Sequence, residues 1–67
     1  MNRWDIYING KPLGKTYSTQ KDARATLAVA LMALGFSDTV WEFTAQNKPI
    51  DFICINGVNY EVREVCK

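Results

Sequence analysis

Two Asn-Gly dipeptides, each set between apolar runs, restrict the fold of this chain more than any other feature. The first, at positions 9–10, follows the alternating run WDIYI, and the second, at positions 56–57, divides the stretch IDFICINGVNYEVREV. Asn-Gly is a preferred pair for the two-residue turn that joins antiparallel strands, because both residues tolerate a positive φ. The sequence therefore predicts two β-hairpins.

Each predicted turn also sets a register for its hairpin. Pro12 cannot donate a hydrogen bond to a strand ladder, so the second strand is expected at a sheet edge with position 12 pointing outward. A turn at KPLG is the alternative and would shift the first register. The predicted pairs are Ile8 with Lys11, Ile6 with Leu13 and Trp4 with Lys15 in the first hairpin, and Ile55 with Val58 and Ile53 with Tyr60 in the second.

The first strand of the second hairpin, FICI, is apolar on both sides. Phe52 and Cys54 fall on the face opposite Ile53 and Ile55, because successive side chains of a strand alternate between faces. We therefore expect this strand inside the sheet, or with its outer face covered. Upstream, TVWEFTAQ alternates with Trp41, Phe43 and Ala45 on one side and Val40, Glu42 and Thr44 on the other, which is typical of a half-buried strand.

A helix is predicted from about Thr19 to Leu34. Ser18 or Thr19 can cap it, Asp22 occupies the place of a capping-box acid, and Gly35 is a left-handed stop. The predicted order of strand, strand, helix and three strands indicates an α+β two-layer domain spanning residues 1–67. Its antiparallel sheet has about five strands, formed by a β-hairpin and a three-strand meander, with the single helix packed on one face. A chain this short supports one core.

The predicted helix is apolar on two sides. Helical projection at about 100° per residue places Leu27, Leu31 and Leu34, with Ala30, on the side expected to face the core. The far side carries a second apolar set, which is either covered within the monomer or exposed as a contact surface. We favour the contact surface, because so short a chain has little material for a second covering layer. This set consists of Ala25, Ala28, Val29 and Met32.

Composition argues against catalysis and metal binding. The chain contains no histidine, which closes the commonest route to acid–base and nucleophilic catalysis near neutral pH. Cys54 and Cys66 stand twelve positions apart without a CxxC pair, whereas a structural zinc site needs four ligands. We expect two free thiols, no enzyme activity, no cofactor, no metal and no small-molecule substrate. The glycines fit turns and caps and form no phosphate loop.

The expected location and partners follow from charge and hydropathy. A formal net charge of +1 draws the protein neither to nucleic acid nor to a membrane surface. The N-terminal residues MNRWDIYING lack the apolar run of a secretory signal, and the longest apolar run is half of what spans a bilayer. With so few cysteines, a cytoplasmic protein with reduced thiols is expected.

A nucleic-acid-binding domain is the alternative. The segment GKTYSTQKDARATLAVALMAL is similar in rhythm to the part of double-stranded RNA-binding domains where a strand leads into a lysine-bearing helix. That resemblance implies phosphate contacts by Lys15, Lys21 and Arg24. It covers about a third of the chain, and the elements on either side differ from that family. Tyr7 and Phe52 are further candidates, as aromatic platforms for stacked bases.

The sequence thus leads to a functional expectation. The protein is predicted to be a small non-enzymatic binding module that acts by protein–protein contact and forms a homodimer through the second apolar face of its helix. Short chains without catalytic residues often serve as inhibitors or adaptors, including those encoded by phages and mobile elements. A structural subunit of a larger assembly is the third class.

Overall fold

A computed structural model describes residues 2–66 of the chain, and the side chains of residues 3–65. It confirms the α+β class, with four strands and two helices where the sequence predicts about five strands and one helix. The strands form one antiparallel sheet in the order β2-β1-β4-β3. The elements are β1 (Asn2–Ile8), β2 (Lys11–Pro12), α1 (Gln20–Ala33), α2 (Ser37–Ala45), β3 (Phe52–Ile55) and β4 (Val58–Cys66).

Both predicted hairpins are present with the predicted turns. Asn9 and Gly10 have φ values of 52° and 80°, and Asn56 and Gly57 have φ values of 53° and 79°. Positive φ at both central residues is the requirement of a type I′ turn. The pairs next to each turn are as predicted, namely Ile8 with Lys11, Ile55 with Val58 and Ile53 with Tyr60.

The first hairpin departs from the predicted register beyond Leu13. The Leu13 N–H donates to the Ile6 carbonyl as expected, but Trp4 pairs with Tyr17 and not with Lys15. The chain bulges between these contacts, where Gly14 adopts a φ of 86°. Residues 14–16 therefore loop out of the ladder, and the prediction that Trp4 faces Lys15 is wrong.

A buried carboxylate holds this bulge in place. Asp5 is only 4% exposed, and its two oxygens accept hydrogen bonds from the N–H of Ile6 at 2.7 Å and from the N–H of Gly14 at 3.2 Å. Arg3 adds two bonds to Thr16, one to its hydroxyl and one to its carbonyl. The carboxylate thus ties the bulged segment to β1 through the Gly14 N–H.

Helix α1 begins and ends where the sequence predicts. The Thr19 hydroxyl accepts a bond from the Asp22 N–H, which satisfies one of the free donors of the first turn. At the other end Gly35 has a φ of 94°, and the Gly35 and Phe36 N–H groups donate to the carbonyls of Met32 and Leu31. These two bonds form a Schellman motif, which stops the helix.

The predicted strand TVWEFTAQ is wrong, because this segment lies in α2. Phe36, Val40 and Phe43 stand at i, i+4 and i+7, which is the spacing of one helix face, and all three pack into the core. Asn47 has a φ of 56° where α2 ends, and the Asn47 and Lys48 N–H groups donate to the carbonyls of Thr44 and Phe43, as in the motif that ends α1. The two-residue alternation around Trp41 is a coincidence within this helical pattern.

The core lies between the helices and one face of the sheet. Alternate residues of β1, β4 and β3 supply the sheet side, and the helices supply Ala23, Leu27, Leu31 and Val40. β3 lies at an edge of the sheet with its outer face exposed, so the expectation of an interior or covered strand is not met in the single chain. Within residues 2–66, neither helix is long and apolar enough to cross a membrane.

Candidate functional site

Helix α1 buries a stripe slightly different from the one predicted. Leu27 and Leu31 are buried as expected, and Ala23, one turn earlier, completes the stripe. Leu34, by contrast, is 60% exposed, and Ala30 is exposed as well. Leu34 follows the last helical residue, where the chain turns away and Phe36 packs on the core in its place. The prediction that Leu34 and Ala30 face the core is therefore wrong.

Three of the four predicted interface residues form an exposed apolar strip along α1. Val29 is 62% exposed and Met32 is 39% exposed, and Ala25 is exposed one turn before Val29. We call Ala25, Val29 and Met32 the helix surface. Ala28 does not belong to it, because it is half-buried and packs against the core.

The helix surface lacks the charges that usually cover the outer side of a helix. No residue from Ala25 to Ala33 carries a charge. An ordinary amphipathic helix has charged or polar residues opposite its buried stripe. Leu34 and Trp41, beyond the helix surface in the chain, are also exposed large apolar side chains. The C-terminal half of α1 is therefore uncharged on its exposed side as well as on its buried side.

The three basic residues of the nucleic-acid alternative have different surroundings. Lys15 lies in the bulged segment after β2, and Lys21 lies in the first turn of α1; both are exposed. The Arg24 guanidinium makes a two-pronged contact with Asp51, at 2.5 Å and 2.7 Å. Hydrogen bonding to Arg24 lowers the pKa of Asp51, and Asp51 raises the pKa of Arg24. Arg24 is thus already paired with a carboxylate.

An open pocket of about 430 Å³ lies beside this ion pair. Its lining combines Arg24 with residues from the end of α2 and the loop that follows. Lys48 adds a second cation, and none of the described residues that line the pocket is a carboxylate. The lining residues are Arg24, Thr44, Asn47, Lys48 and Pro49.

The face of the sheet away from the helices brings the two candidate aromatic residues into one row. Tyr7 and Phe52 both pair with Glu61 in the register, so they lie on the same face at either side of it. The Arg63 guanidinium stacks 4.3 Å from the centre of the Tyr7 ring and donates to the Glu61 carboxylate at 2.7 Å. A carboxylate with its own arginine partner therefore separates the two aromatic rings.

The outer edge of β3 is a feature that the sequence analysis did not identify. The Val62 N–H donates to the Asp51 carbonyl, so hydrogen-bonded pairs alternate from Asp51 along β3. Ile53 and Ile55 then bond to β4, while the N–H and C=O groups of Phe52 and Cys54 point to the open side. The described chain places no strand beyond them.

The thiol of Cys54 is free and exposed on this strand. The side chain of Cys66 lies outside the described residues. The expectation of two free thiols is therefore confirmed for Cys54 and remains a prediction for Cys66. Among the side chains of residues 3–65, no three potential ligands of the His, Cys, Asp and Glu types come together around a metal position.

No protein-family model matches this chain, and no curated protein or solved structure matches it significantly.

Proposed function

We propose that this protein is a small non-enzymatic binding module that acts by protein–protein contact, in the manner of an adaptor or inhibitor, and that two copies associate through the helix surface. A cytoplasmic location fits this proposal, because an exposed thiol such as that of Cys54 persists in a reducing compartment.

The exposure of Val29 and Met32 on an uncharged side of α1 is the observation that carries the proposal. Both side chains lie on the side of α1 away from its buried stripe, and neither belongs to the core of the monomer. Two such surfaces can pack against each other about a twofold axis, with Ala25 allowing the helices a close approach. Burying the apolar side chains then stabilises the dimer by about 25 cal/mol per Å² removed from water.

The nucleic-acid alternative has weaker support. Arg24 is engaged with Asp51, so a phosphate would have to compete with a carboxylate that it already contacts through two bonds. Glu61 stands between Tyr7 and Phe52, where its charge repels the backbone of a strand stacked on both rings. Lys15 and Lys21 alone leave little positive surface.

The experiment measures molar mass by light scattering for the wild-type protein and the variant Val29→Glu. We expect the wild-type protein to exceed the monomer mass in a concentration-dependent way. Val29→Glu should lower the mass while leaving the circular dichroism spectrum unchanged, because a carboxylate is costly only where the contact removes it from water. Ala45→Glu, an exposed apolar position of α2, is the matched control and should not change the mass.

Leu31→Glu is the control for loss of folding. It puts a carboxylate into the core and should unfold the protein, since a domain of this size has a total stability of only about 5 kcal/mol. A folded Val29→Glu variant with the wild-type mass would contradict the proposal. So would a wild-type protein that stays monomeric, or that binds RNA in a salt-sensitive way through Lys15 and Lys21.

A further inference from the structure

The position of β3 conflicts with its residues. β3 is the last strand of the sheet, yet its residues FICI include no charge and no proline, the features that usually protect an edge strand. Phe52 is 58% exposed and Cys54 is exposed. We propose that a second copy of the chain completes this edge, with β3 of one protomer pairing antiparallel to β3 of the other to make one continuous eight-stranded sheet.

The available hydrogen-bonding groups select this partner. The outward N–H and C=O groups belong to Phe52 and Cys54, two residues apart, and an antiparallel strand bonds through alternate residues in the same way. A second β3 offers the same two residues facing the opposite direction. All of these groups are then satisfied in both protomers at once, as a twofold contact requires.

The same groups define the register. If Phe52 lies opposite the partner's Cys54, both residues of each pair exchange two bonds, which gives four hydrogen bonds across the new interface. Ile53 then lies on the twofold axis, opposite its own copy. A shift by one residue would pair outward groups with residues that already bond to β4, so it is excluded. A shift by two residues moves half of the bonding groups past the end of the partner's strand.

The charges near β3 permit this pairing. Residues 52–56 are uncharged, so no like charges meet across the interface. Asp51, the nearest acid, would lie opposite the partner's Ile55, and its carboxylate is already held by Arg24. Lysine or proline on an edge strand is the usual protection against such pairing, and β3 has neither.

A cross-linking experiment tests the register directly. The variant Phe52→Cys in a Cys66→Ser background places a thiol opposite the partner's Cys54, at the Cα separation of about 5.5 Å of a hydrogen-bonded pair. A disulfide can span that distance. Mild oxidation should convert most of the protein to a covalent dimer. Adding Cys54→Ser is the matched control, because the remaining thiols become diagonal neighbours about 7–8 Å apart and should not cross-link.

A proline substitution in β3 can block pairing at the edge without changing a side chain of the core. Cys54→Pro deletes an outward N–H that β4 does not use, whereas Cys54→Ser keeps it. Cys54→Pro should lower the molar mass and Cys54→Ser should not. In the wild-type protein, the amides of Phe52 and Cys54 should exchange with deuterium at least tenfold more slowly at high than at low protein concentration.

The edge contact and the helix-surface contact are independent, and combining variants separates them. If both operate, Val29→Glu and Cys54→Pro should each reduce the assembly to a dimer, and the double variant should be a monomer. If only the edge contact operates, Val29→Glu keeps the wild-type mass and Cys54→Pro is monomeric. The edge proposal is overturned if Phe52→Cys forms no covalent dimer, or if exchange at Phe52 and Cys54 is independent of concentration.

Discussion

The two edges of the sheet differ in how well they are protected against pairing with another strand. At the β2 edge, Pro12 removes an outward N–H, Lys11 and Lys15 add charge, and the bulge held by Asp5 interrupts the ladder. At the β3 edge, Phe52 and Cys54 present unprotected backbone groups between apolar side chains. Edges are a hazard that proteins usually block, so an open edge opposite a blocked one supports the proposed pairing of β3.

The two hairpins that form these edges share much of their geometry. Both have Asn-Gly type I′ turns, and in both the outer strand has a residue next to the closing pair whose backbone nitrogen points outward. That residue is Pro12 in one hairpin and Cys54 in the other. Pro12 follows its turn and Cys54 precedes its own, but Cys54 has an outward N–H at its edge and Pro12 has none.

Among variants at the two edges, removal of the Asp5 carboxylate should have the largest effect on the free energy of unfolding. Asp5→Ala leaves the Ile6 N–H without an acceptor in a buried place and removes the bond that holds the Gly14 N–H in the bulge. Since hydrogen bonds to a charged group contribute about 1.5–3 kcal/mol, we expect the free energy of unfolding to fall by about 2–4 kcal/mol. Urea denaturation measures the loss, and amide exchange of residues 13–17 should quicken.

Asp5→Asn is the control, since it retains one acceptor oxygen and should lose less. Exchange at Phe52 and Cys54, on the other edge, should not respond to either variant beyond the global loss of stability. A stable Asp5→Ala protein with unchanged exchange in residues 13–17 would show that the bulge does not depend on the carboxylate.

The ion pair at the start of β3 should have a smaller and pH-dependent effect. Because Arg24 lowers the pKa of Asp51, the unfolded chain binds this proton more readily than the folded chain does. The pair therefore stabilises the protein above the ordinary Asp pKa of about 3.9, and the contribution is lost as the pH falls below that value. Both side chains are about a third exposed, so the contribution is at most about 1 kcal/mol.

Asp51→Asn tests this by urea denaturation at neutral and acidic pH. The variant should be less stable than the wild-type protein at pH 7, and the difference should vanish well below the Asp pKa. Arg24→Gln should reproduce the result, because it breaks the same pair from the other side. A stability difference that persists unchanged in acid would mean that Asp51 acts through packing and not through its charge.

The smallest effect is expected at Pro12. Pro12→Val restores an outward N–H to the β2 edge, but the bulge after Leu13 and the charge of Lys11 remain. The position is exposed, so the free energy of unfolding should change by less than about 0.5 kcal/mol. Light scattering should find the wild-type mass. A new, larger species would show that proline alone blocks this edge.

Local signals made much of this fold predictable from sequence. The Asn-Gly turns, the Thr19 cap and the Gly35 stop each depend on a few neighbouring residues, and all three lie where expected. Segment α2 was not predicted, because nine residues around Trp41 fit both a two-residue and a 3.6-residue period. Packing of Phe36, Val40 and Phe43 on the core decides between the periods, and that information is not local.

The candidate surfaces were predictable to different degrees. Projection of α1 identified Val29 and Met32 correctly as lying away from the buried leucines, since a helix of known bounds has a known geometry. The half-buried state of Ala28 was not predictable in the same way, because it depends on where the neighbouring elements lie. The open edge could not be deduced, because strand order depends on which hairpin strands meet, and both hairpins are apolar on the helix side.

The pairing of β1 with β4 has a consequence for how the chain folds as it is made. Each hairpin closes locally, but β1 and β4 join distant parts of the chain: Ile8 pairs with Tyr60, and the Asn9 side chain accepts a bond from the Asn59 N–H, fifty positions away. A nascent chain therefore contains the residues of the first hairpin and of both helices before β4 is made, although short helices and single hairpins have little stability alone. The pairing of β1 with β4, and with it the native sheet, can form only after β4 has been synthesised.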